Sequence, residues 1–145
     1  MLKELESGVL CKSAAETRAL AAKLAAWMGG KGTVALSGPL GAGKTVFAKG
    51  LAEGLGVREA VKSPSYNILF YYRGGAGYFA HIDAYRVNGP DDFESLLLDE
   101  VVPEPRLVCI EWPEKIGAAL DPCAVRLEII PCEDESRLVR LVRSS

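Results

Sequence analysis

An α/β fold, a mixed and mostly parallel β-sheet flanked by helices, is what this sequence predicts, on three observations. Gly38-Pro39-Leu40-Gly41-Ala42-Gly43-Lys44-Thr45 is a complete G-x-x-x-x-G-K-[ST] phosphate-binding loop. It lies between an apolar run, Thr33 to Leu36, and a helical pattern, Val46 to Leu55, the strand–loop–helix setting the motif requires. Short apolar runs alternate with helical patterns along the chain, as in sheets covered by helices on both faces. Two of those runs end in a carboxylate, Asp83 and Glu111, and the C-terminal ends of strands are where ligands bind in such sheets. The loop narrows the class to a phosphate-loop NTPase fold.

The elements follow in order. Ser13-Ala14-Ala15-Glu16 has the form of a capping box, which opens a helix. Thr17, Leu20, Ala21, Leu24 and Met28 follow at helical spacing, and Gly29-Gly30 stops the helix. Thr33 to Ser37 is a buried strand. The phosphate loop feeds the next helix, with Phe47, Leu51 and Leu55 on one face and Gly54 and Gly56 at its end. Lys62 to Tyr66 is a polar loop broken by Pro64. Asn67 to Tyr72 and Tyr78 to Ile82 are strands joined by the turn Gly74 to Gly77, hence an antiparallel hairpin. A helix started by Asp91, Asp92 and Glu94 runs to near Glu100. Leu107 to Ile110 is a buried strand, and Ala124 to Ile130 with Leu138 to Val142 form a closing hairpin.

The chain has 145 residues, which predicts one domain over 1–145. Apolar residues make up 49% and charged residues 25%, an ordinary globular balance. No apolar run approaches the roughly 20 residues that span a bilayer, and the acidic N-terminus does not read as a signal peptide. Cys11, Cys109, Cys123 and Cys132 show no C-x-x-C spacing, so they read as reduced cytoplasmic thiols. A single His excludes a His-rich metal site. The net charge of −2 and pI near 5.5 argue against autonomous nucleic-acid binding. Arg137, Arg140 and Arg143 offer a local basic patch, or the solvated side of an edge strand.

The loop's chemistry follows from its residues. Gly38, Gly41 and Gly43 lack Cβ, which lets the backbone adopt positive φ and approach phosphate oxygens. Successive N–H groups then form an anion nest at the positive end of a helix. Lys44 reaches the β/γ-phosphates, and the Thr45 hydroxyl ligates Mg2+. The metal needs an acidic partner, for which Asp83 and Glu111 are both placed: one to hold Mg2+, the other to orient the attacking water. Trp112 follows Glu111 on the rim. His81, two residues before Asp83, shares its strand face and reads as a satisfied structural histidine. Arg86 is placed either as a cation near the phosphates or as a salt-bridge partner of the acidic helix. Ser63 and Ser65 flank Pro64 where a switch loop would order around the triphosphate.

The chain has neither the NKxD guanine reader nor the DxxG switch of a GTPase. It also lacks the Arg-rich lid of a small-molecule kinase, since the longest interval, after Trp112, holds Lys115 and no Arg before Arg126. What remains is ATP binding and hydrolysis in the service of a partner. A nucleotide-gated binding module without essential hydrolysis, and a small-molecule phosphate-loop kinase, stand as alternatives.

In order, the chain carries "GPLGAGKT", "VKSPSY", "HIDAYR", "DDFE…LLLDE" and "CIEWPEKI". Together these closely resemble the TsaE (YjeE) family of bacterial ATPases, from the first capped helix to the last strand. The resemblance implies binding of ATP and Mg2+ with slow hydrolysis. It also implies work with TsaB and TsaD in forming threonylcarbamoyladenosine beside the tRNA anticodon, and contact with tRNA only through that complex. It implies that Gly41, Ala42, Gly43, Lys44, Thr45 and Val46 hold the phosphates and that Thr45 and Glu111 ligate Mg2+. Asp83 becomes the second essential carboxylate, Trp112 the site edge, and Lys62 to Tyr66 the switch. Ala14 and Thr17 fall on the adenine side and Arg137 near the nucleotide. Ser65 stands where the family has Thr, and the match weakens past Pro131.

Overall fold

The computed structural model describes residues 1–61 and 68–142. Its elements are α1 (Leu2–Ser7), β1 (Val9–Cys11), α2 (Ala14–Trp27), β2 (Gly32–Ser37), α3 (Lys44–Gly54), β3 (Leu69–Gly74), β4 (Gly77–Asp83), α4 (Pro90–Glu94), α5 (Leu98–Val101), β5 (Arg106–Glu111), β6 (Val125–Pro131) and β7 (Arg137–Leu141). The strands form a seven-stranded sheet in the order β1-β7-β6-β2-β5-β4-β3. β2, β4, β5 and β6 are mutually parallel, β3 and β7 run against them, and β1 again runs with them. The sheet is therefore mixed and mostly parallel, as the sequence predicts. No helix among the described residues is long and apolar enough to cross a membrane.

Both faces of the sheet are covered, and the period-2 alternation of its strands divides the core. Val34 and Leu36 of β2, Leu107 and Cys109 of β5 and Phe79 of β4 pack with α2 and α3. Ala35, Val108, Ile110, Ala80 and Ile82, offset by one residue, pack with Phe93 of α4 and with Ile116 and Leu120 on the other face. The parallel strands are buried on both sides, which is why they read as unbroken apolar runs.

Ser13 caps α2, its Oγ accepting from the Glu16 N–H at 3.1 Å. Helices α2 and α3 lie side by side and run the same way. A Cβ on Gly50 would fall 2.5 Å from the Arg18 carbonyl oxygen, and one on Gly54 would fall 2.7 Å from that of Ala22. This close approach requires glycine at both positions. Because Gly50 meets Arg18 and Gly54 meets Ala22, both helices start at the same end of the pair.

Four expectations are corrected. α1 and β1 are added to the sequence reading: β1 has three residues, too few for a period to show. The helix expected from Asp91 to near Glu100 is two, α4 and α5, because Leu97 takes left-handed φ/ψ of 55° and 45°. The phosphate-loop helix starts at Lys44, two residues before the apolar pattern does. Finally, β7 is not an edge strand, since β1 pairs with its outer side at Val9↔Val139 and Leu10↔Leu138. Both hairpins form as expected, β3 with β4 and β6 with β7.

Candidate functional site

The phosphate loop leaves the C-terminal end of β2 and turns into α3. Gly41 and Gly43 have φ of 78° and 99°, left-handed conformations that a side chain would strain. Gly43 is the N-cap of α3, and no side chain caps that helix among the described residues. The first N–H groups of α3 are therefore open toward the loop, the arrangement that receives an anion. Thr45 and Val46 lie in this first turn, half-buried.

Lys44 is buried. Its Nζ donates to the Gly38 carbonyl at 2.7 Å and lies 3.6 Å from the centroid of the Trp112 ring, in cation–π contact. Burial pushes the Lys44 ammonium below its ordinary pKa, an effect partly offset by the carboxylates of Glu111, Asp83 and Glu114. Trp112 is held by its backbone, with φ of 60° and its N–H donating to the Leu36 carbonyl at 3.2 Å. Its other neighbour is Tyr85, ring centroids 5.1 Å apart. The rim of the site is thus a layered set of Lys44, Trp112 and Tyr85.

The two strand-end carboxylates come together. β4 and β5 are parallel neighbours, and Asp83 and Glu111 are direct partners in their register; Glu111 also pairs with Leu36, two residues before Gly38. Asp83, Glu111 and His81 share one face of the sheet, the face that carries α3. Glu111 is buried and His81 fully so. His81 Nε2 is 2.5 Å from Glu111 Oε2, while its Nδ1 has no hydrogen-bond partner among the described residues. The expectation of a satisfied structural histidine is half right: one nitrogen is engaged, and its partner is the candidate metal ligand. Asp83 is half-buried and Oδ1 accepts from the Tyr85 N–H at 3.0 Å. Burial and the nearby Glu111 charge hold the Cys109 thiol well above its ordinary pKa, so it stays protonated.

Arg137 reaches the loop from β7. Its Nη2 donates to the Gly41 carbonyl at 3.4 Å and Nη1 to the Glu135 and Ser136 carbonyls, and its stem covers Gly43. Arg140 instead pairs outward with Glu128 at 2.9 Å, so the basic residues of β7 do not make a single patch. Ala14 is exposed at the start of α2. Thr17 is buried, and its hydroxyl donates to the Ser13 carbonyl at 3.2 Å. Arg86 is exposed in the turn after β4. Ser63, Ser65 and the rest of the expected switch from Lys62 to Tyr66 lie outside the described residues, as does Arg143.

Sequence reasoning placed Lys44, Asp83, Glu111 and Trp112 but missed the His81–Glu111 bond and the Tyr85–Trp112 stack. Knowing that β4 and β5 are adjacent and in register would have revealed the first. A cleft of ≈ 930 Å³ lined by Gly32, Phe93, Leu98 and Arg106 lies at the opposite, N-terminal ends of β2 and β5. It holds none of these groups, so the site is defined by its chemistry rather than by this cleft.

The family model for the threonylcarbamoyl adenosine biosynthesis protein TsaE matches residues 11–139. The chain is similar to the tRNA threonylcarbamoyladenosine biosynthesis protein TsaE of Aquifex aeolicus, 36% identical over 142 residues, covering 97% of this chain and 98% of that one. It is similar to the protein of the same name from Streptomyces coelicolor, 41% identical over 115 residues and 77% of each. It also resembles the crystal structure of YdiB from Bacillus subtilis, with a TM-score of 0.76 and 30% identity over 92% of this chain and 82% of that one.

Proposed function

The chain belongs to the TsaE family, and from that membership we propose that it is a Mg2+-dependent ATPase of tRNA threonylcarbamoyladenosine biosynthesis. In this reading it acts in the cytoplasm with TsaB and TsaD to support formation of the threonylcarbamoyl group on the adenosine beside the anticodon. The observation that carries the reading is the convergence of an uncapped phosphate loop with two in-register carboxylates, Asp83 and Glu111.

The residues present fit a metal-bound triphosphate. The open N–H groups of the α3 N-terminus and the left-handed Gly41 and Gly43 supply an anion cradle. Lys44 supplies a cation whose charge burial disfavours where it sits, and phosphate oxygens would compete for it with the Gly38 carbonyl and the Trp112 ring. Thr45 and Glu111 are the ligands that would hold Mg2+, and Mg2+ would neutralise charge on the reacting phosphoryl oxygens. Asp83, more open than Glu111, would orient the attacking water and accept its proton. Arg137, tied to the Gly41 carbonyl, keeps the loop's peptide orientation and adds positive charge beside it. Ala14 and Thr17, at the start of α2, would lie on the base side of the nucleotide, as the family resemblance implies.

One observation favours a second reading, a nucleotide-gated binding module in which hydrolysis is incidental. Leu40 at the loop tip is 77% exposed and Tyr85 49% exposed, which gives the site an apolar rim suited to docking a protein. Reconstituting tRNA modification with TsaB and TsaD separates the two. The ATPase reading expects many turnovers with ATP and none with a non-hydrolysable analogue. Sustained turnover on the analogue would favour gating and remove hydrolysis from the proposal.

A further inference from the structure

We infer that His81 is the positioning residue for Glu111, fixing which of its two carboxylate oxygens faces the phosphate loop. The inference rests on the reading of Glu111 as a metal ligand, and its structural half stands without that reading.

A glutamate at the end of a strand has three side-chain torsions and, left alone, no fixed direction. Here Oε2 is held at 2.5 Å by the Nε2 of a histidine with no exposed surface. The histidine cannot swing away: Cys109 is its register partner, and its ring lies 6.1 Å from that of Phe79 in the core. Its place in the sheet is two residues deeper than Asp83, so it grips Glu111 from the core side. With Oε2 engaged in this way, Oε1 would be the oxygen that meets a cation or a water on the loop side.

Of the two neutral tautomers, the hydrogen bonds favour one. Nδ1 is buried and has no partner among the described residues. If Nε2 carries the proton, it donates to the carboxylate and Nδ1 is left as a bare acceptor. If Nδ1 carried it, a buried N–H donor would be stranded and Nε2 would face the carboxylate lone pair to lone pair. The first arrangement is the less costly, because it strands no buried donor. Partners of this kind, one step behind a metal ligand, fix its orientation.

His81 is the only histidine in the chain, so its ring nitrogens are read without assignment ambiguity. The nitrogen-15 NMR spectrum of the metal-free protein is expected to show a protonated Nε2. Its Nε2 proton should be shifted far downfield, and the shift should be lost in Glu111→Gln. A bare Nε2, or a spectrum indifferent to Glu111→Gln, overturns the inference whatever the protein binds.

Binding gives the second readout. His81→Phe is expected to leave ATP affinity without metal unchanged and to weaken Mg2+ affinity by about tenfold to a hundredfold. His81→Gln, whose amide nitrogen reaches the Nε2 position, should recover most of that loss, while the shorter His81→Asn should not. If Gln and Asn bind Mg2+ alike, or Phe binds it as the wild type does, His81 does not position Glu111. If the wild type itself gains nothing from Mg2+, it is the metal reading of Glu111 that fails.

Discussion

Lys44 Nζ lies 3.6 Å from the centre of the Trp112 ring and 2.7 Å from the Gly38 carbonyl oxygen. A phosphate entering the loop competes with both for the same ammonium. Trp112 is therefore a built-in reporter of loop occupancy. The other tryptophan, Trp27, is 53% exposed at the end of α2 and can be silenced as Trp27→Phe. In that background, ATP titration is expected to change Trp112 emission, and Lys44→Met is expected to abolish the ATP-dependent change. An ATP response that survives Lys44→Met would mean the ring is not sensing the lysine.

Burial also gives Lys44 a pH signature. Its folded-state pKa lies below the ordinary lysine value of 10.5, so in the window between the two the unfolded chain holds more protons than the folded one. Stability contributed through Lys44 therefore rises with pH across that window and levels off above 10.5. Lys44→Met removes the slope. Denaturant unfolding of both proteins from pH 7 upward is expected to show the wild type gaining on the variant as pH rises. Parallel curves would contradict the buried-cation description.

Gly50 is expected to be intolerant of alanine. In an exposed helix the change gains about 0.5–1 kcal/mol, but here the new Cβ would lie 2.5 Å from the Arg18 carbonyl oxygen and 2.7 Å from the Ala21 Cβ. Overpacking of this kind costs about 1–3 kcal/mol and pushes α2 from α3. Gly50→Ala should lower Tm and loosen the loop together, read by calorimetry and by ATP affinity.

Arg137→Ala should leave the fold largely intact, because the guanidinium meets backbone carbonyls rather than core. Loss of one bond to the Gly41 carbonyl, worth about 0.5–1.5 kcal/mol, is expected to weaken nucleotide binding by roughly two- to tenfold in a direct titration. Arg140→Ala, which breaks only an exposed pair with Glu128, should leave it unchanged.

How much was legible follows from range. The phosphate loop, the capped α2, the buried strands and both hairpins are local patterns, and each formed as the sequence predicts. Asp83 and Glu111 were readable as strand ends. Their register partnership, and the bond from His81 to Glu111, depend on which strands lie side by side, and residues 30 apart in sequence carry no local mark of that. Arg137 is 96 residues from Gly41, and only the docking of the closing hairpin against β2 brings them together. The break at Leu97 was invisible because leucine carries no turn signal, yet it takes the left-handed conformation that splits the two helices. β1 was missed for its length alone.

The central claim is that the loop and the two strand-end carboxylates form one hydrolytic site. The most direct measurement is Mg2+-dependent release of inorganic phosphate from ATP by the wild type, Lys44→Ala and Glu111→Ala, each checked for folding. The expected result is release by the wild type that requires Mg2+. It should be lost in Lys44→Ala, together with much of the ATP binding, and weakened in Glu111→Ala. Hydrolysis at the wild-type rate in both variants would contradict the site.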